Sequence, residues 1–578
     1  MDKKTYFLEP AAPQHRHYEA LRAIYVDGLA LGEAARRFGL AAAYLKKLRG
    51  EFHRALERGE AYFFPPPPKG RKPGRATGAP VVGQIVALRK HNHSVPDIRA
   101  LLEAKGEVLS LSTIDHILKE HGFAPLPKRS RQERAGATLP PSIEALRSAP
   151  LQWRNESFST EQGGGPLVFL PLLEQLGVVP ALARLGYPKT SVLSDVASIL
   201  SFLALKLLGN ERLSHDAPYN MDRALGLFAG LNVLPKNSTL SSYSYRVGRA
   251  QNRALLIEMC RMFQGGRAEQ GEFNLDFKAI PHWGDASVLE NNWSGMRAQG
   301  IKSLLALLVQ DPATGFLSYT DAGIRHRNEN DAVLEFVDFW KEGRGAAPKL
   351  LVFDARFTTY ENLSKLNQDG IMFLTLRRRG KELVKQALAL PSDQWESVKF
   401  EQDSRKRREL RVHDSLITLR HYEGPLRQVI LTGHGHLNPT FLISNDLELP
   451  AALVLKKYAR RWLVEQEIAE HVDFFHLNSP SSSIVVKVDF DLTLSLMAHN
   501  LFRVLTRQLP GFERCTVPTI ARDVLQNAAA ISVAGRAITV NLKKKTHLPT
   551  LFELPWMKTT TPLSWMDATI AFNGATTS

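Results

Sequence analysis

Cysteine is nearly absent: Cys260 and Cys515 are the only two in 578 residues. They stand far apart and outside any metal-ligand spacing, which argues against a disulfide framework or a cysteine zinc site and fits a reducing cytoplasm. Long hydrophobic runs are also missing. The most apolar stretch, residues 191–208, is interrupted by Asp195, several serines and Lys206, so it reads as a buried helix rather than a membrane span. The opening MDKKTYFLEP has no apolar core of a secretory signal, and a cytoplasmic location is the expectation. No glycine-rich phosphate loop of the nucleotide-binding type occurs. Negative charge is the scarcer sign, 58 Asp+Glu against 74 Lys+Arg, giving a net +16.

What is present is more specific. The length is too great for one core, so several domains are expected. Residues 1–136 hold 24 Lys+Arg and 14 Asp+Glu, a surplus of 10 in less than a quarter of the chain. That is the footprint of phosphate neutralisation, although a solubilising face or an anionic-membrane patch carries the same charge. The segment begins with three stretches of helical period. Glu33–Phe38 and Ala43–Leu56, broken at Gly39, have the dimensions of a helix-turn-helix, and its second helix carries Lys46, Lys47, Arg49 and Arg54. Residues 63–80 follow as a proline-rich spacer whose Arg71, Lys72 and Arg75 suit phosphates or a minor groove. A second helical trio comes next, with Ser112 and Asp115 placed as a capping box for its third helix, then a basic PKRSRQER at 127–134. Either trio alone fits a plain helical hairpin equally well. Two joined by a basic linker favour DNA binding.

Residues 139–255 read as helical and apolar. From residue 272 the period changes. FNLDFKAI, SLLALLVQD and GFLSYTDAGI read as strands, NDAVLEFVDFWKEG as a helix, KLLVFDARF as a buried strand, TYENLSKLNQDG as a helix and IMFLTLRR as a strand. Short alternating strands fill 396–446, including RELRVHD and LITLRHY, and one long helix covers LPAALVLKKYARRWLVEQEIAEHVDFF. This order predicts a mixed sheet covered by helices. Three acids fall where such a core gathers them: Asp276 on the first strand, Asp354 ending the run Leu350–Phe353, and Glu465 on the long helix. Converging carboxylates are what Mg²⁺-dependent phosphodiester chemistry requires. An acid after an apolar run is also a common strand terminator, and most of the 58 acids are surface charges.

LDFKAIPHWGD, LVFDARFTTYENL and YARRWLVEQ resemble the three carboxylate motifs of DDE-type insertion-sequence transposases. They resemble most the branch with a Tyr-Arg-Glu-Lys signature, whose spacing Tyr458, Arg461 and Glu465 match. The signature's lysine position is Val472, with Lys487 a substitute. The resemblance implies a ribonuclease H-like α/β core with Asp276, Asp354 and Glu465 as catalytic metal ligands for Mg²⁺ or Mn²⁺. It implies Tyr458 and Arg461 against a DNA phosphate, double-stranded DNA as partner, a homodimer in the active complex, and a bacterial, nucleoid-associated location. The expected domains are 1–62 and 81–136 as all-α helix-turn-helix units around the 63–80 linker, then 137–255 as a helical connector. After these come 256–510 as the catalytic core, with a β-rich insertion at 378–448, and 511–578 as a C-terminal region. Asp285 and Glu467 are rival acids, the latter turned about 200° from Glu465 around the helix. A silent DNA-binding regulator and a nuclease without strand transfer are the alternative functions.

Overall fold

A computed structural model describes residues 3–59, 61–63, 78–90, 93–124, 147–212, 215, 218–264, 271–282, 289–294, 298–401, 407–435, 437–480, 482 and 484–574. The chain divides into two compact units, Met1–Gly78 and Ala79–Ser578. Arg71, Lys72, Arg75, residues 127–134 and Asp285 lie outside the described residues.

The first unit is built on α1 (Pro13–Tyr25), α2 (Leu31–Arg37) and α3 (Ala42–Glu57). Leu45 and Leu48, one helical turn apart on α3, close with Phe38 over Ala20, Leu21, Ala34 and Ala35. Gly39 sits at φ +60°, a left-handed turn between α2 and α3 that side chains with a Cβ resist. Lys46 and Lys47 are exposed on the outer face of α3, and Arg49 is half-buried.

The second unit opens with α4 (Ala79–Lys90), α5 (Val95–Ala104) and α6 (Leu111–Glu120). Their shared apolar core includes Ile85, Ile98, Leu102 and Ile114, and it reaches Met221 and Val233 further along the chain. The expected capping box at Ser112 is displaced. Ser110 caps α6 by accepting from the Thr113 N–H at 3.1 Å, and Asp115 pairs with Lys119 instead. The reciprocal box belongs to α5, between Ser94 and Asp97.

Residues 147–264 are mostly helical, including α7 (Asp195–Leu207) and α8 (Arg249–Gln264), but they also supply a strand, β1 (Glu156–Thr160). Next come β2 (Glu272–Pro281), β3 (Glu290–Ser294), β4 (Gln299–Gln310), β5 (Leu317–Ile324), α9 (Ala332–Arg344), β6 (Leu350–Phe353), α10 (Tyr360–Gln368) and β7 (Met372–Leu376). Residues 378–448 hold α11 (Lys381–Leu388), β8 (Glu396–Glu401), β9 (Arg407–Ile417), β10 (Leu426–Thr432) and β11 (Thr440–Ser444). The expected LITLRHY strand is not separate: its first residues complete β9.

These strands form one mixed sheet in the order β3-β4-β2-β6-β7-β11-β10-β9-β8, with β5 also paired to β4. β2 runs antiparallel to β4 and parallel to β6, and β6 runs parallel to β7. The mixed α/β arrangement is consistent with a ribonuclease H-like core. β8 to β11 continue that sheet beyond β7.

The expected long helix is two helices, α12 (Ala451–Ala459) and α13 (Trp462–Asp473), interrupted at Arg460 and Arg461. α14 (Val485–Thr506) follows. It is apolar around most of its circumference and buried against β5, α8 and α7. The segment 511–578 adds β12 (Ala529–Ala534), β13 (Ala537–Leu542), β14 (Thr561–Leu563) and β15 (Ala568–Gly574). These make a second sheet with β1, in the order β1-β12-β13-β15-β14. Among the described residues, no single helix is long and apolar enough to cross a membrane.

Candidate active site

Strand register brings the first two acids level. β2 and β6 pair with Asn274 opposite Val352, so two residues further on Asp276 stands beside Asp354, where the β6 ladder ends. Adjacent strands lie about 4.8 Å apart, so the two carboxyl groups are neighbours by construction. Asp276 Oδ1 accepts the Phe277 N–H at 2.9 Å, and Asp354 Oδ1 accepts the Ala355 N–H at 2.5 Å while capping a short 3₁₀ turn. Those turns are tied together. Phe277 and Phe357 stack with centroids 3.8 Å apart and planes 5° from parallel. Arg356 lies over Phe277 and bonds Glu329 at 2.8 Å and Asn292 at 3.0 Å.

The third acid arrives from the helix break. Side chains two apart on a strand share a face, so Asn274 and Asp276 both look toward α13. Asn274 is buried and its Nδ2 donates to the carbonyl of Arg460 at 3.0 Å, holding the break against β2. Arg461 begins the new helix. One nitrogen donates to Glu465 at 2.7 Å and another lies 3.7 Å from Asp276. Its Nε is buried without a hydrogen bond, and its guanidinium lies 5.6 Å from the centre of the Tyr458 ring. Arg461 is 16% exposed and Glu465 52%, so the carboxylate is open to solvent while the cation is packed in place.

The charges act on one another. Burial pushes the Asp276 carboxyl up to about 6, with Glu465 and Asp354 adding to the rise and Arg461 and the Phe277 N–H opposing it. Burial lifts Tyr458 to about 12, so its hydroxyl stays protonated at neutral pH. Burial works against the Arg461 charge, but Tyr458 and the three carboxylates outweigh it and hold the guanidinium above its ordinary value. A cavity of about 330 Å³ is lined by Ala355, Thr358, Thr359, Arg378, His421 and the buried Thr375.

Asp276, Asp354, Glu465, Arg461 and Tyr458 thus lie in one electrostatic cluster. Glu467 does not join them; it is buried and accepts from Gln310 at 3.3 Å. Val472 packs against the core. Lys487 donates to Ser241 at 3.3 Å and sits 4.1 Å from the centre of the Tyr245 ring. Sequence reasoning missed Asn274 and the Phe277–Phe357 stack. The strand alternation that puts Asn274 on the face of Asp276 was the available signal.

Residues 286–501 match the family model of the transposase DDE domain. Asp354, Tyr458, Arg461 and Glu465 fall inside that match, and Asp276 lies just ahead of it. No curated protein matches the chain. A mixed sheet with carboxylates gathered at its centre, together with a transposase DDE domain match over residues 286–501, supports a DDE-type transposase.

Proposed function

We propose that this protein binds the ends of a mobile DNA element, of the branch with the Tyr-Arg-Glu-Lys signature, and cleaves and joins DNA strands there. Asp276, Asp354 and Glu465 are its metal ligands. The observation that carries this is the convergence of three carboxylates from β2, the end of β6 and α13 around Arg461. Three acids pressed together, one with a raised pKa, fit a site completed by cations, and their oxygen-only donor set suits Mg²⁺ or Mn²⁺. Two such ions would supply Lewis acidity to the attacking and leaving oxygens of the phosphodiester.

The chain's own residues do the rest. Arg461, already charged and packed, offers a planar fork to a phosphate oxygen. Tyr458 stays protonated beside it and donates. The Phe277–Phe357 stack fixes the spacing of Asp276 and Asp354. Lys46, Lys47 and Arg49 on α3, with Arg71, Lys72 and Arg75, neutralise duplex phosphates. The active complex is a homodimer, each protomer engaging one element end.

The test is a duplex carrying an element end, incubated with Mg²⁺ or Mn²⁺ and a target plasmid. Wild type yields nicked and then joined products, and Asp354→Asn and Glu465→Gln yield neither while still binding. Nicking without joining would leave a nuclease. Binding without nicking by wild type would leave a regulator.

A further inference from the structure

A second group of acids lies under α13, turned away from the candidate site. Glu467, Glu470 and His471 stand at spacings of three and four, so they share one helix face, directed at His499 of α14. All four are buried, with His471 and His499 wholly inaccessible. One oxygen from each glutamate and one nitrogen of His499 lie within 4.8 Å of one another.

The protein satisfies only part of this group. Gln310 donates to Glu467 Oε1 at 3.3 Å, the Val517 N–H donates to Glu470 Oε2 at 3.0 Å, and His499 Nε2 lies 3.3 Å from the Gly315 carbonyl. His499 Nδ1 and both nitrogens of His471 have no hydrogen-bond partner, although the two rings are 5.2 Å apart. Arg503 faces both carboxylates, and Lys206 faces His471 but is held by Asp491 at 2.9 Å. Two buried carboxylates face a single guanidinium, and three buried imidazole nitrogens beside them go without partners. A divalent ion would give the Glu467 and Glu470 carboxylates and the His499 ring a shared partner. The 3.1 Å between Glu467 Oε2 and His499 Nε2 is close to the roughly 3.3 Å span of two ligands on a tetrahedral ion with bonds near 2 Å.

We propose that Glu467, Glu470 and His499, with His471 beside them, form a structural site for a zinc-like divalent ion, separate from the catalytic set. Mixed nitrogen and oxygen ligands favour such an ion over Mg²⁺. Its effect is to clamp α13 to α14, and so to fix the register from which Glu465 and Arg461 project.

The test uses full-length Glu465→Gln protein, in which the catalytic ligand set is already broken. After equilibration with Zn²⁺ and gel filtration, elemental analysis should find about one zinc per chain, and adding Glu470→Gln or His499→Gln should lower it roughly tenfold. Adding Asp354→Asn should leave the zinc in place, which separates this site from the catalytic one. Chelation should lower the melting temperature of the parent. If the added substitutions prevent folding, Co²⁺ absorption and X-ray absorption of the parent decide: a shell of imidazole and carboxylate supports the site. Zinc-free parent protein, zinc retained after Glu470→Gln and His499→Gln, or a shell without imidazole would overturn it.

Discussion

Arg461 stands between two carboxylates, 2.7 Å from Glu465 and 3.7 Å from Asp276, with its Nε buried and unbonded. A helix-surface pair of this kind would contribute only about 0.2–0.5 kcal/mol. If that were its whole role, Arg461→Ala would leave cleavage nearly intact. As a phosphate clamp, its loss should instead lower Mg²⁺-dependent cleavage by about 10²-fold or more, with thermal melts near wild type. Lysine should rescue poorly, because a point charge does not reproduce the fork. Near-wild-type cleavage by the alanine variant would remove the clamp. Asp276 makes a second prediction. Its folded-state carboxyl sits at about 6, above the ordinary 3.8, so the folded state holds the proton more tightly than the unfolded chain does. Stability of the metal-free protein therefore falls as pH rises from about 4 to about 6, and the cost is fully present above that window. Asp276→Asn should stabilise metal-free protein near pH 8 by about 1–3 kcal/mol, with the difference vanishing near pH 4. Added Mg²⁺ should raise the melting temperature of wild type and not of the asparagine variant. A wild type that melts higher than the variant without metal near pH 8 would contradict this account.

The break between α12 and α13 shows how far the local chain predicts its elements. Tyr458, Arg461 and Glu465 were legible as a cluster from spacing, and Asp354 from the apolar run that precedes it. The interruption was not legible, because YARRW contains neither glycine nor proline. The Arg460 carbonyl accepts the Leu463 N–H at 3.1 Å and is also met by Asn274, nearly two hundred residues earlier, and no local signal carries that second partnership. Asn274→Ala should therefore cost about 1–3 kcal/mol of stability, read as a lower denaturation midpoint, and should reduce cleavage further than the stability loss explains. An unchanged midpoint would mean that the break is held by other contacts. The cap of α6 failed for a related reason. Ser110 and Ser112 are both plausible caps two residues apart, and only helix geometry chooses between them. Strands β2, β4, β5, β6 and β7 were readable because both of their faces are buried or alternate cleanly. β3 was missed because it is short, at a sheet edge and carries a single apolar residue, Trp293.

At the scale of the molecule, the least legible feature is the closure of the second unit. β1 pairs antiparallel with β12, Phe158 opposite Ile531, across more than three hundred and fifty residues. The same seam is sealed at Gly165, where a Cβ would sit 1.9 Å from the carbonyl oxygen of Leu525. Gly165→Ala should cost about 3 kcal/mol or more, and a melting curve near wild type would show that the seam can open. Where the two units divide also sets where the DNA-binding test is made. Cutting after residue 136 would strip α4 to α6 from Met221 and Val233, whereas cutting after residue 78 leaves the second unit whole. Protein lacking residues 1–78 should keep its melting transition, lose specific binding to element ends, and show a shallower dependence of affinity on salt. Unchanged specific affinity would place recognition in the second unit. The β1–β12 seam has one more consequence, which concerns synthesis. Long-range pairing is slow to form, and here it waits until nearly the whole chain has left the ribosome. The small helical unit can fold while most of the chain is still being made, whereas the second unit lacks its closing strands until translation is almost over. On the proposed DNA-binding role of the first unit, a prematurely terminated chain would then occupy DNA without cutting it, and would compete with the full-length protein for the same ends.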